Sequence, residues 1–490
     1  MNTRLPTAPV LLSAIARELN CETFGDVEIT GITHDSSQVQ PGDLFVAIPG
    51  MAKHGIEFLD QAISRGAVAV ASDPQALALR DDQKLPRIEF TKPRSQMALA
   101  ASIVFGHPER KLKVIGVTGT NGKTTVTHMI KSILSDAGYR VGLIGTLGTF
   151  INDELIQSVR TTPESSDLYA LFAKMVETEI EVVVMEVSSH ALELQRVEGL
   201  IFEVAVFTNL SQDHLDFHQD MDSYFAAKSK LFSKEKSKFA VIYTDDLWGN
   251  RLAGGLQIAH QTVGQTGSPD FSVSQINSSD ARTNFKLKFA QKEFASELNR
   301  LGQFNVINAV EALAVAMRLG VSLEAALASM PSLAQVPGRL EMLQLDSGAV
   351  GIVDYAHTPD AVEKVLTELR QSSKGRIITV LGCGGDRDKS KRPQMGKIAS
   401  ELSDVYIVTD DNPRSESAEA IRKEVLAGTN PINTEEISDR RLAIRRAIEL
   451  SSQGDFVVVL GKGHESGQEI SGTVHPFDDR EVILEESKNA

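Results

Sequence analysis

Ile115-Gly116-Val117-Thr118-Gly119-Thr120-Asn121-Gly122-Lys123-Thr124-Thr125 reads as an apolar strand, a glycine-rich turn and a Lys-Thr-Thr run that opens a helix. The helix shows in Val126, Met129, Ile130, Ile133 and Leu134, which recur at i, i+3, i+4, i+7 and i+8. Small residues let backbone N–H groups approach an anion, and a helix N-terminus adds partial positive charge. In such a loop Lys123 reaches the outer phosphates and Thr124 offers its hydroxyl to Mg²⁺, so the first expectation is a nucleoside triphosphate. A plain glycine turn before a helix needs neither a lysine nor a hydroxyl there. The general pattern asks for glycine five residues before Gly122, where Val117 stands; this shortened loop is not the version used by most kinases and switch GTPases.

The rest of the chain sets bounds on that reading. At 490 residues it is too long for one core and predicts two to four domains. A net charge of −15 leaves no basic excess to neutralise a nucleic acid. Two cysteines, Cys21 and Cys383, make no disulfide framework and fit a reducing compartment. No signal peptide and no bilayer-length apolar run is present, so a cytoplasmic protein without membrane insertion is expected.

Turn-rich segments around Gly106-His107-Pro108-Glu109-Arg110 and Gln335-Val336-Pro337-Gly338 predict domains over 1–108, 109–336 and 337–490. The first carries strands at Leu44–Ile48 and Ala67–Ala71. The second alternates strands (Val182–Met185, Val204–Phe207, Ala240–Tyr243) with helical patterns, which predicts a parallel sheet. Polar alternation from Phe271 to Leu298 suggests a β insertion there, before a helix over Asn305–Met317. The third alternates strands Gly351–Val353, Ile377–Leu381, Val405–Val408 and Phe456–Leu460 with helices, as in a doubly wound α/β domain.

Ligands of open parallel sheets bind beyond the carboxyl ends of the strands. Those ends carry Glu186-Val187-Ser188-Ser189-His190, Thr208-Asn209 with Asp213, His214, Asp216 and His218, Asp354-Tyr355-Ala356-His357, Asp386-Arg387, Asp410-Asp411-Asn412-Pro413-Arg414 and Gly461-Lys462-Gly463-His464-Glu465. Singly, such an acid is a cap or solvated turn residue, a lone histidine is structural and Asp-Asn-Pro is a turn former. Together, beside a phosphate loop, they suggest two facing sites for a large substrate. Glu186 and His214 are candidate Mg²⁺ ligands, directly or through water, since Mg²⁺ keeps several waters and needs few protein oxygens. The Cys/His set that zinc requires is missing.

These runs resemble the Mur ligase family, the ATP-dependent amide-forming enzymes of peptidoglycan precursor synthesis. The resemblance covers nearly the whole chain: Thr118 to Thr125, Glu186 to His190, Thr208-Asn209-Leu210 with Asp213 to Asp216, Gly302 with Phe304-Asn305 and Asn308, Pro337-Gly338-Arg339, and Asp354 to His357. It implies an N-terminal uridine-nucleotide-binding α/β domain, a central P-loop ATPase-like parallel-sheet domain and a C-terminal Rossmann-like domain. The Asp411-Asn412-Pro413-Arg414 run matches members that add meso-2,6-diaminopimelate to UDP-N-acetylmuramoyl-L-alanyl-D-glutamate through an acyl phosphate. By match, ATP is held by Gly119 to Thr125 with Asn305, Asn308 and Arg339. Catalysis falls to Lys123, Glu186, His214 and Lys228, the last carbamylated (N6-carboxylysine) and bound to Mg²⁺ with Thr124, Glu186 and His214.

The uridine substrate is matched to His34, Ser36, Met51, Ala52 and Lys53, with Thr161, Thr162, Ser188 and Arg196 nearer its peptide. Ser37 stands where many relatives carry Arg, and Leu194 where some carry Gln. Diaminopimelate is matched to Arg387, Asp411, Asn412, Pro413, Arg414, Gly461 and Glu465; Arg414 can pair its distal carboxylate bidentately. A monomer is expected. The rival readings are the same ligase adding L-lysine, folylpolyglutamate synthase, and a P-loop regulatory ATPase.

Overall fold

The computed structural model describes residues 7–50, 53–80, 85–158, 160–215, 217–279 and 282–488. Among the described residues three large sheets succeed one another along the chain, beside two two-stranded ones. The first has five strands in the order Thr23–Phe24, Arg87–Glu89, Ala69–Ser72, Asp43–Val46 and Gly31–Thr33, parallel except for the first pair. The second has eleven, running from Glu154–Ile156 at one edge to Lys292–Leu298 at the other. The third has six, with Phe456–Leu460 between Val350–Asp354 and Ile377–Leu381. The α/β class expected from the strand and helix alternation is present throughout.

In the second sheet, strand Lys113–Thr118 lies between Val182–Glu186 and Val204–Phe207, parallel to both. Glu186 is level with Val117, and Phe207 with Thr118. The register therefore brings Glu186 and Thr208 to the two sides of the loop that begins at Gly119. Side chains alternate across the sheet, and both faces are covered, as parallel strands require. Val114, Val183, Met185, Ala205 and Phe207 enter one core, shared with helices Pro93–Val104 and Ser165–Glu177. Ile115, Val117, Val184, Val204 and Val206 enter the other, under helices Lys123–Asp136 and Gln303–Arg318. Each such Val or Ile contributes roughly 1.5–3 kcal/mol by leaving water.

Val117 is thus a ladder-paired, fully buried strand residue, which is why no glycine stands there. The loop is short because the strand runs on to Thr118. The segment read as a β insertion forms strands Phe271–Ser279, Arg282–Phe289 and Lys292–Leu298, an antiparallel extension of the same sheet. Strand Val141–Gly145, absent from the expectation, pairs with Val182–Glu186.

Candidate functional site

Two glycines shape the phosphate loop. Gly122 has φ +88°, and a Cβ there would lie 2.8 Å from Asn308 Oδ1. A Cβ on Gly119 would fall 2.0 Å from the Thr208 hydroxyl. Any side chain at either position would collide with the walls that press on the loop. Those walls also bond to it: Asn121 N donates to Asn209 Oδ1 at 3.0 Å, and Thr120 N to Asn209 O at 2.9 Å. Asn308, Asn305 and Thr208 are all buried.

The loop opens into a cavity of about 670 Å³. Its lining includes Thr120 to Thr125, Thr161, Glu186, Ser188, Asp213, His214, Lys228, Asn305, Asn308 and, from the third sheet's segment, Arg339, Asp354, His357 and Asp360. Hydrogen bonds join its two sides, among them one from Gln303 N to Glu368 Oε2 at 2.9 Å. Arg339 Nη2 donates to the Thr124 hydroxyl at 3.2 Å, and Asn121 Nδ2 donates to Asp360 Oδ2 at 3.2 Å. The Arg339 guanidinium lies 4.4 Å over the Tyr355 ring. The expected nucleotide and metal residues are therefore gathered in one place.

Both lysines of the expected chemistry rest on one oxygen. Lys123 Nζ donates to Gly119 O at 2.9 Å and to Thr120 O at 2.8 Å, and Lys228 Nζ donates to Gly119 O at 2.8 Å. Burial, reinforced by the neighbouring Lys123 charge, holds the Lys228 amine well below its ordinary range. A neutral buried amine is what carbon dioxide needs for carbamylation, so the residue fits that modification.

Glu186 is fully buried, and its two oxygens accept from Thr146 N at 2.8 Å and Thr146 Oγ1 at 3.0 Å. Desolvation by the surrounding cavity, with His190, Lys123 and Lys228 nearby, depresses the partly exposed His214 ring to about 4. Burial opposes ionisation of Asp213, yet His357, His214 and Lys391 bring its carboxyl down to about 2. Among the described residues no group of three or more His, Cys, Asp or Glu converges as a metal cage. Mg²⁺ is held by one or two hard oxygens plus substrate phosphates. Thr124 and Glu186 supply such oxygens.

The residues matched to the incoming amino acid form a second cluster, at the carboxyl ends of the third sheet and outside the cavity lining. Asn412 Nδ2 donates to Glu465 Oε2 at 2.8 Å, and Gln468 Nε2 to Asp411 O at 2.7 Å. Arg414 adopts φ +53°, donates from Nη1 to Gly385 O at 2.8 Å and stands 3.4 Å from Glu469. Gly461 has φ +109°, and a Cβ there would meet Asp411 Oδ2 at 2.5 Å. Arg387 is exposed, with one bond to Asp386 O.

On the first sheet's segment, His34 Nδ1 is 2.9 Å from Ser166 Oγ, and the Ser36 hydroxyl donates to Gln61 Oε1 at 2.7 Å. Lys53 is exposed beside Glu57, while Met51 and Ala52 lie outside the described residues, as does Asp216. Nearer the loop, the Thr162 hydroxyl donates to Glu186 O at 2.8 Å, and Thr161 Oγ1 lies 3.2 Å from Thr146 Oγ1. Arg196 Nε donates to Glu164 Oε1 at 2.9 Å.

Comparison with known proteins gives this geometry a family. The Mur ligase family, catalytic domain, matches residues 28–102; the Mur ligase middle domain matches 117–316; the Mur ligase, glutamate ligase domain, matches 338–463. A UDP-N-acetylmuramoyl-L-alanyl-D-glutamate--2,6-diaminopimelate ligase of Streptomyces avermitilis is 43% identical over 94% of this chain and 92% of its own. The chain belongs to the Mur ligase family. An enzyme of the same name from Gloeobacter violaceus is 45% identical over 95% of both chains.

A solved structure of such a ligase matches this Mur ligase with TM-score 0.68 and 33% identity, covering 94% of this chain and 95% of that one. A Mycobacterium tuberculosis folylpolyglutamate synthase shares the fold alone: TM-score 0.62 and 19% identity over 79% of this chain and 95% of that one.

In this Mur ligase several residues at the site had no strand-end signal of their own. Thr146 holds Glu186 from the end of strand Val141–Gly145; Glu164, which also accepts from Arg94, holds Arg196; Asp360 starts a helix rather than ending a strand. Lys462 sits in a run that was read, but its burial is a tertiary property. No helix among the described residues is long and apolar enough to cross a membrane.

Proposed function

We propose that this Mur ligase joins meso-2,6-diaminopimelate to the D-Glu side-chain carboxylate of UDP-N-acetylmuramoyl-L-alanyl-D-glutamate, using ATP and releasing ADP and phosphate. The units assigned are 1–108 for the uridine substrate, 109–336 for ATP and 337–490 for the amino acid, in a cytoplasmic monomer. The observation that carries the reading is the cavity where the phosphate loop and Arg339, from different segments, meet Glu186, His214 and Lys228.

A carboxylate is a poor acylating agent because its leaving group would be oxide. Its oxygen attacks the γ-phosphorus, the bond to ADP breaks, and the acyl phosphate has phosphate as its leaving group. The amine nitrogen then attacks the carbonyl carbon, loses a proton, and phosphate departs. Positioning and charge neutralisation carry most of such a transfer. Loop N–H groups and Lys123 hold the triphosphate, and Arg339 adds a cation from across the cavity. Thr124, Glu186, His214 and carbamylated Lys228 would hold Mg²⁺, which would neutralise phosphate charge. Ser188, Thr161, Thr162 and Arg196 face the peptide, and Arg414 recognises the distal carboxylate.

Phosphate release tests the reading. It is expected only with both co-substrates present, and strongly reduced when L-lysine replaces diaminopimelate. Release without either co-substrate would make the protein a regulatory ATPase, and equal turnover with lysine would sink the selectivity.

A further inference from the structure

Lys462 is fully buried, with no solvent contact for its ammonium group. Its Nζ donates to Asn412 Oδ1 at 3.1 Å, to Glu465 Oε2 at 3.3 Å and to Gly467 O at 2.6 Å. Three N–H donors meet three acceptors, from the strand-end run, its own turn and hairpin Gly467–Ile470/Thr473–Pro476. We propose that Lys462 is the positioning residue of the amino-acid pocket: it fixes which way Asn412 and Glu465 face, and so selects a substrate with a distal carboxylate. This rests on the assignment of diaminopimelate to Asn412, Arg414 and Glu465.

The argument is one of donor and acceptor sign. An asparagine amide can present either its oxygen or its N–H₂ to a given neighbour. Lysine offers donors only, so Asn412 Oδ1 is turned toward Lys462, and Glu469 N donates to that same oxygen at 2.9 Å. The amide nitrogen must then face the other way, where one N–H reaches Glu465 Oε2 at 2.8 Å and the second remains for a ligand acceptor. A carboxylate accepts from it; an ammonium does not.

Glu465 is fixed by the same contact. Its Oε2 takes both Lys462 and Asn412, which leaves Oε1 to accept from a ligand ammonium. Without Lys462 the amide is free to flip, and Glu465 loses the buried cation that sets its rotamer. Lys462 lies behind these groups and acts through them. It is not among the residues that line the cavity.

Lys462→Met keeps chain length and removes the donors. The variant is expected to raise the diaminopimelate KM at least tenfold, to narrow the diaminopimelate-to-lysine preference, and to leave ATP and uridine-substrate KM within about threefold. Hydroxylamine trapping separates pocket from fold: its nitrogen attacks the acyl carbonyl carbon, phosphate leaves, and a hydroxamate forms without the amino acid. The rate of that reaction should match the parent enzyme's. An unchanged diaminopimelate KM in the folded variant would overturn the proposal, and so would loss of hydroxamate formation in parallel with ligation. Should Lys462→Met fail to fold, Lys462→Leu, which also lacks a donor, is read by the same two assays. Parent enzyme that traps hydroxylamine but does not ligate diaminopimelate would refute the underlying assignment instead, whatever the variants do.

Discussion

Arg339 Nη2 donates to the hydroxyl of Thr124 at 3.2 Å, so the helix that follows the phosphate loop is touched by the segment that carries the third sheet. On the proposed function, that guanidinium meets the triphosphate and the Thr124 hydroxyl is released to Mg²⁺. Arg339→Ala is expected to lower kcat/KM for ATP roughly 10- to 100-fold, the scale of a charged hydrogen bond worth about 1.5–3 kcal/mol. Phosphate-release kinetics over a range of ATP concentrations read it; an unchanged ATP dependence would remove Arg339 from the site.

Arg414 recognises the substrate's distal carboxylate on the same reading. Arg414→Ala should raise the diaminopimelate KM roughly 30-fold or more, corresponding to about 2 kcal/mol or above. ATP and uridine-substrate constants should change much less. A uniform loss across all three substrates would point to collapse of the 411–414 turn.

Glu164 holds two segments together. Its Oε1 accepts from Arg196 Nε at 2.9 Å and its Oε2 from Arg94 Nη1 at 3.2 Å, while Arg94 Nη2 reaches Pro49 O. Glu164→Ala strands two largely buried guanidinium groups, which costs on the order of 3 kcal/mol. Urea denaturation measures that loss, and the uridine-substrate KM should rise because Arg196 is no longer held.

Glu311 points to a pH effect. Both its carboxyl oxygens are buried without a hydrogen-bond partner among the described residues. Burial, with Asp246 nearby, raises its pKa well above the ordinary 4.5. Below about pH 4.5 the group is protonated in both states and carries no penalty. Above it the folded state alone retains the proton, so stability falls as pH rises toward the folded value. Glu311→Leu should remove that slope and stabilise the protein by about 1–3 kcal/mol at pH 7. Equal melting curves for the two proteins across the range would contradict it.

The carbamate proposed on Lys228 has its own readout. Depleting carbon dioxide should lower ligation, and bicarbonate should restore it. Labelled bicarbonate should give a ¹³C carbamate signal that Lys228→Met lacks. Activity indifferent to bicarbonate, with no such signal, would show that the lysine works unmodified.

The strands that carry chemistry were legible because they are central, parallel and buried on both faces. Val204–Phe207, Ile377–Leu381, Val405–Val408 and Phe456–Leu460 have the bounds that their apolar runs imply. Val141–Gly145 was missed, since two glycines in five residues dilute the β-branched signal. Thr146, the clamp on Glu186, was lost with it. Edge strands Glu341–Gln344 and Thr434–Glu436 are short and mostly polar, so no periodicity announces them. The phosphate loop could be read because its chemistry is contiguous in sequence. The Glu164 clamp spans residues 94 to 196, and Lys462 is distinguished from any surface lysine only by the hairpin folded over it.

The Gly119 carbonyl, with Lys123 at 2.9 Å and Lys228 at 2.8 Å, stands in for an anion. Lys228 is buried and Lys123 partly so, and an arriving triphosphate would exchange one oxygen partner of Lys123 for another. Carbamylation leaves one N–H on Lys228 Nζ to donate to that carbonyl and adds a carboxylate whose oxygens accept. On the proposed function, nucleotide capture and modification both change the partners of that one oxygen, so the two should be linked and ATP should change the rate at which the carbamate is lost.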